Sequence, residues 1–133
     1  MFNYDYFSDS AFRESMEELC LEKGEQFIDP LTMTELSITA PGSLIDLVYF
    51  KNLKSLHIYC AELDNLNELK MLKHLTELVL FDNRINDLSA IWEMEQLTSL
   101  CMDQCCDIAL VSRLRNLTKL EIKHRNLSDL HFL

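Results

Sequence analysis

Leu75-Thr76-Glu77-Leu78-Val79-Leu80-Phe81-Asp82-Asn83-Arg84-Ile85-Asn86-Asp87-Leu88 joins two periodicities in one short segment. Leu78-Val79-Leu80 alternates with period two, the mark of a short strand. Leu78 and Leu80 point to one face, and Glu77, Val79 and Phe81 point to the other. Leu88, Ile91 and Met94 then recur at every third position, the spacing of a 3₁₀ or short α segment. Asn83 stands between the two, where its amide can satisfy backbone groups that a buried turn would orphan.

The arrangement recurs on both sides. Leu53, Leu56, Ile58, Leu63, Leu66, Leu69 and Leu72 fall on Leu75, Leu78, Leu80, Ile85, Leu88, Ile91 and Met94, all at one offset of 22 residues. A unit shorter by two residues follows, with Leu97, Leu100, Met102, Ile108, Leu110 and Leu114. The last restores the pattern with Leu117, Leu120, Ile122, Leu127, Leu130 and Leu133. A degenerate first unit holds Met33, Leu36, Ile38, Leu44, Leu47 and Phe50. Periodicity of this kind identifies a stacked repeat, in which each unit buries its apolar side on its neighbour.

The pattern Leu-x-x-Leu-x-Leu-x-x-Asn-x-Ile-x-Asp-Leu, from Leu75 to Leu88, resembles the leucine-rich repeat. The 22-residue length is similar to that of the internalin and phosphatase-regulator subclass. The resemblance implies an α/β repeat solenoid, with short parallel β-strands on a concave face and 3₁₀ or short helical segments on the convex side. It covers about three quarters of the chain, residues 31–133 in about five units. It implies a fold and is almost silent about function. Ala61, Cys105 and Arg125 stand where Asn83 does, and Pro41 in the degenerate unit. Cysteine is an accepted substitute in such repeats; alanine and arginine are not, so less regular turns are expected.

Residues 1–30 are expected to form an N-terminal capping segment, since a solenoid needs its open ends covered. Over residues 8–23, Phe12, Met16, Leu19 and Cys20 share one helical face. Ser8 or Ser10 can start the helix and Gly24 can stop it. Glu14, Glu17, Glu18 and Glu22 are left facing solvent, either as a solvated surface or as an electrostatic docking face. No polar cap follows Leu127, Leu130 and Leu133. That edge is expected to form an end-to-end homodimer contact, to be covered by a partner, or to fray.

The net charge is −10, and residues 1–29 hold eight acidic and two basic side chains. Nucleic acid is a poor partner for such a chain, because phosphate binding needs a basic footprint. A basic protein surface is a better one, since a negative field speeds encounter with it. With 48% apolar residues in 133, the chain reads as one folded domain, neither disordered nor membrane-spanning. Met1-Phe2-Asn3-Tyr4-Asp5-Tyr6 lacks the basic start and apolar run of a secretory signal. The five cysteines show no paired framework. Together these lead to the expectation of a cytoplasmic chain with free thiols.

Stacked strands place outward side chains in columns. The expected columns are Glu35, Ser55, Glu77, Ser99, Lys119; then Ser37, His57, Val79, Cys101, Glu121; then Thr39, Tyr59, Phe81, Asp103, Lys123. Tyr59 beside Phe81, flanked by Glu77, Asp82 and Asp103, resembles a binding hot spot with a polar rim. It can equally be a pair of rings filling a curved surface. No cofactor is expected. His57, His74, His124 and His131 lie in different units, and His57 and Cys101 stand two strands apart, too far to share an ion. Cys101, Cys105 and Cys106 offer three thiols at most. No Gly-rich phosphate loop or nucleophile elbow appears. The expectation is therefore a non-catalytic protein-binding module. The most concrete form is an acidic stoichiometric inhibitor of a basic protein, as bacterial immunity proteins are. The alternative is a regulatory or scaffold subunit that grips a partner enzyme with the concave face.

Overall fold

The computed structural model describes residues 4–103 and 108–123, with only the backbone of 108–110. One α-helix, α1 (Ser10–Lys23), precedes the repeats. The strands are β1 (Glu35–Thr39), β2 (Ser55–Tyr59), β3 (Glu62–Leu63), β4 (Glu77–Phe81), β5 (Arg84–Ile85), β6 (Ser99–Met102) and β7 (Lys119–Ile122). Five of them form one parallel sheet in the order β1-β2-β4-β6-β7, while the two-residue β3 and β5 pair beside it. The returning chain forms 3₁₀ segments at Pro30–Thr32, Ile45–Tyr49, Asn67–Met71, Ser89–Glu93 and Ile108–Arg113. This is an α/β repeat solenoid, with strands on one side and 3₁₀ turns on the other.

The alternation seen in the sequence sets the strand faces. Leu36, Ile38, Leu56, Ile58, Leu78, Leu80, Leu100 and Met102 all point inward and are buried. They meet Leu47, Leu69 and Ile91 from the 3₁₀ side. Between rungs, one carbonyl takes two amides of the next unit. The Lys54 carbonyl accepts from Thr76 N–H at 2.9 Å and Glu77 N–H at 3.0 Å. The Thr76 carbonyl does the same for Thr98 and Ser99, at 2.8 and 3.0 Å. Stacking thus satisfies the backbone where each strand begins.

The helix begins at Ser10, but neither Ser8 nor Ser10 is its cap. Asp9 is the N-cap, and its carboxylate accepts from Ala11 N–H at 2.8 Å. Aspartate is as good a cap as serine, and here its second oxygen also accepts from Gly42 N–H at 2.7 Å and Ser43 N–H at 3.0 Å. One carboxylate therefore starts the helix and ties it to the first repeat. Asp46, only 1% exposed, returns the tie by accepting from Ser8 and Asp9 N–H at 2.9 and 2.8 Å. Gly24, at φ 68°, ends the helix, its N–H turned back to the Cys20 and Leu21 carbonyls. Phe12, Met16 and Cys20 are buried, and the helix lies against β1. Phe7 stacks on Phe50 at 5.8 Å and on Tyr4 at 5.7 Å, so the cap carries its own aromatic core. The buried Tyr4 hydroxyl donates to the Ile28 carbonyl at 2.9 Å and accepts from Ile28 N–H at 2.7 Å. Burial, with the Cys20 thiol beside it, pushes that hydroxyl's pKa well above the usual tyrosine range.

The expectation of irregular turns is corrected over the first three units. Ala40, Cys60 and Asp82 each leave the sheet in the left-handed region, at φ 56°, 59° and 59°. Asn83 holds the turn that contains Ala61. Its Oδ1 accepts from Ala61 N–H at 2.8 Å and its Nδ2 donates to the Ile58 carbonyl at 2.9 Å. One asparagine thus serves the turn of the unit before it. The positions of Cys105 and Arg125 lie outside the described residues.

Candidate interaction surface

The outward columns stand in register as the spacing implied. Glu35, Ser55, Glu77, Ser99 and Lys119 pair in succession, as do Ser37, His57, Val79, Cys101 and Glu121. Thr39, Tyr59 and Phe81 continue as a third. Asp103 and Lys123 fall just past the ends of β6 and β7.

Depth is where the expectation changes. Cys101 is in the column yet buried, and its thiol donates to Glu121 Oε2 at 3.1 Å. Burial and then the Glu121 carboxylate push the thiol's pKa up. Glu121 is held below the usual carboxylate range by that hydrogen bond and by Lys123, whose Nζ is 3.3 Å away. Cys101 therefore supports Glu121 and offers no thiol to a partner. Tyr59 and Phe81 are half-buried, not exposed, with ring centroids 6.4 Å apart and planes at 25°. Lys123 Nζ lies 5.6 Å over the Phe81 ring, within cation–π range. Asp103 accepts from Asp82 N–H at 3.1 Å, so the acidic rim on that side is anchored. Val79 lies half-buried between the flanking columns.

A polar network on β2 and β4 was not visible in the sequence. His57 Nδ1 is 3.1 Å from the Tyr59 hydroxyl, and Nε2 is 3.2 Å from Glu77 Oε1. Ser55 Oγ donates to Glu77 Oε1 at 2.5 Å and lies 3.3 Å from His57 Nε2. The Ser55 hydrogen bond, then that of His57, holds the Glu77 carboxyl below its usual range. Serine, histidine and glutamate together invite comparison with a hydrolytic triad. Such a triad needs the hydroxyl and the acid on opposite ring nitrogens. Here both sit on Nε2 and bind each other, so the network orders the surface and activates no nucleophile.

The acidic cap and the sheet face also turn out to be one surface. A groove of about 330 Å³ runs between α1 and the first two strands, lined in part by Glu18, Leu19, Glu22, Met33, Glu35 and His57. Two carboxylates from the helix thus face one from β1 across a partly apolar floor. Glu14 is exposed and Glu17 half-buried, both outside that lining. Leu127, Leu130 and Leu133, the expected dimer edge, lie outside the described residues. No group of three or more potential ligands that could hold a metal ion occurs among the described residues. No helix among them is long and apolar enough to cross a membrane.

Among solved structures, internalin C2 from Listeria monocytogenes is similar, at 26% identity and TM-score 0.51 over 68% of this chain and 42% of that one. Internalin F from the same organism matches 93% of this chain and 46% of its own length, with 19% identity and TM-score 0.57. The fold is a leucine-rich repeat. This leucine-rich-repeat chain spans less than half the length of either internalin. Comparison with protein-family models and with curated proteins finds no match. Leucine-rich repeats, like other solenoids, present an extended face suited to binding other proteins.

Proposed function

We propose that this chain is a non-catalytic, acidic protein-binding module that masks a basic surface of another protein as a stoichiometric inhibitor, in the manner of immunity proteins. The observation that carries this reading is the convergence of Glu18 and Glu22 with Glu35 in one groove that continues onto the sheet face. A lysine or arginine stem lies well on Leu19 and Met33 while its charge meets carboxylates. The net charge of −10 adds long-range attraction. The 22-residue offset between β2 and β4 supports the internalin-like repeat length within the leucine-rich class. A reducing, cytoplasmic setting suits a chain whose Cys60 is an exposed free thiol.

The test is affinity capture of the partner, followed by kinetics. The expected partner is basic and binds one to one, with loss of its own activity at equivalence. Its on-rate falls steeply with salt. The Glu18→Gln/Glu22→Gln/Glu35→Gln variant slows association about tenfold or more. An affinity indifferent to salt and to these three changes overturns the reading. The stacked Tyr59–Phe81 pair favours a second reading, a scaffold or regulatory subunit that grips its partner through the rings. Tyr59→Ala and Phe81→Ala then abolish binding while the glutamine variant retains it.

A further inference from the structure

The same repeats carry an apolar groove on their opposite side. One cavity of about 450 Å³ is lined by Tyr6, Leu31, Val48 and Tyr49 among others. A second, of about 460 Å³, runs past Val48 to Met71. They share Val48 and Lys51, so they form one channel across two rungs. Its apolar walls are open: Leu31 is 47% exposed, Tyr6 42%, Val48 41%, Met71 37% and Tyr49 36%. A contiguous apolar patch with polar edges marks an interaction site more often than chance exposure.

The charge along this channel is opposite to that of the molecule. Lys51, Lys73 and His74 border it. Among the described residues neither lysine has an ion-pair partner, whereas Lys70 on the next row meets Glu93 at 2.6 Å. Asp29 is the one acid in this lining, at the far end, where it accepts from Leu31 N–H at 3.0 Å, so the two lysines leave the channel with a positive balance. The next rung closes the channel, because Glu93 and Glu95 stand where Met71 and Lys73 stand one unit earlier.

We infer that this channel is a second docking site, for a short amphipathic segment of a partner protein bearing two or three large apolar side chains beside carboxylates. Each of the two cavities, about 450 and 460 Å³, is within the size range of ordinary ligand clefts. An apolar helix face fits such a groove by anchors three or four residues apart. Complementary charge selects an acidic segment, because Lys51 and Lys73 are left to pair with it. The site stands apart from the acidic groove, and its fate is separate from the reading of that groove.

The probe is an amidated 14-residue peptide of alternating Leu-Leu and Glu-Glu pairs, with a Leu-Leu/Lys-Lys peptide as its counterpart. Both are titrated into the isotope-labelled full chain and followed by NMR. The expected result is that the glutamate peptide shifts the amides of Leu31, Val48, Lys51 and Met71. The lysine peptide does not shift them. Val48→Asp and Met71→Asp each weaken the glutamate peptide about tenfold. Lys51→Glu/Lys73→Glu reverses the preference between the two peptides. These side chains are exposed, so melting temperatures should stay near that of the parent. Equal binding of both peptides, or indifference to Val48→Asp, overturns the proposal. Sedimentation showing a dimer that Val48→Asp dissociates also overturns it, by assigning the groove to a second copy. Flotation with vesicles containing phosphatidylserine, abolished by the same change, overturns it in favour of a lipid surface.

Discussion

Replacing Asn83 with alanine tests how the turns are held. Asn83 is 2% exposed, and its amide makes two buried hydrogen bonds, from Ala61 N–H at 2.8 Å and to the Ile58 carbonyl at 2.9 Å. Alanine leaves both backbone groups facing a hole. An orphaned buried donor or acceptor costs ~1–3 kcal/mol, and a carbonyl with two lone pairs falls at the low end. The expected loss is about 2–4 kcal/mol, against a total stability of ~5–15 kcal/mol for a domain. At this chain length that lowers the melting temperature by roughly 10 °C. Urea unfolding followed through the single tryptophan, Trp92, which is 4% exposed, reads the change directly. The midpoint should fall while the slope stays constant. Asn83→Asp separates the two bonds. A carboxylate still accepts from Ala61 N–H but opposes the Ile58 carbonyl, so at neutral pH it should lose at least as much as alanine. On acidification the neutral acid can donate again, and the gap to alanine closes. A midpoint shift for Asn83→Ala worth less than about 0.5 kcal/mol would refute the reasoning, because water would then be serving the turn.

Asp46→Ala should detach the cap. It removes two charge-assisted bonds to Ser8 and Asp9 N–H, costs about 3 kcal/mol, and should abolish hydrogen-exchange protection at those amides. Iodoacetamide labelling mapped by mass spectrometry should find exposed Cys60 modified far faster than Cys101, whose thiol is buried and shifted upward. Mutation of Glu121→Gln should narrow that difference by lowering the Cys101 pKa. Glu77 should titrate by carbon-detected NMR below its ordinary value of 4.5. Because the folded-state value is depressed, the stabilisation is complete above about 4.5 and is lost as pH falls through the folded value. Ser55→Ala should move the titration back further than His57→Phe, since the serine hydrogen bond is the larger cause.

The repeat, the strand faces, the column register and the C-cap at Gly24 were all legible, because each follows from spacing along one chain segment. What the spacing could not show is where segments far apart in sequence meet. Asp9 and Asp46 look like ordinary surface acids in a chain with 22 of them, yet each binds backbone amides across more than 30 residues. Cys101 sits at a correct outward position, yet it is buried there and its thiol bonds Glu121 on the neighbouring strand. The backbone at Ala61 is held from 22 residues away, by Asn83 of the following unit. Glu18 and Glu35 were assigned to two surfaces, and the packing of α1 on β1 made them one.

Binding information in such a fold has to sit where the units differ, because the shared positions are committed to the core. Leu47, Leu69 and Ile91 occupy equivalent inward sites and differ little. The neighbouring outward row reads Tyr49, Met71, Glu93, and the one beyond it Lys51, Lys73, Glu95. Apolar and basic character stops at the third rung on both rows, while the core rung continues unchanged. Val48 is 41% exposed, but Trp92, two units later, is 4% exposed and belongs to the core. On the sheet side the sign also divides, with Glu35 and Glu77 toward the cap and Lys119 and Lys123 at the other end. On the two readings proposed above, opposite charges on opposite sides of the same two rungs would let two partners be held at once. The two grooves share no lining residue, the acidic one being bordered by the helix and the first two strands and the apolar one by the 3₁₀ side of the same repeats.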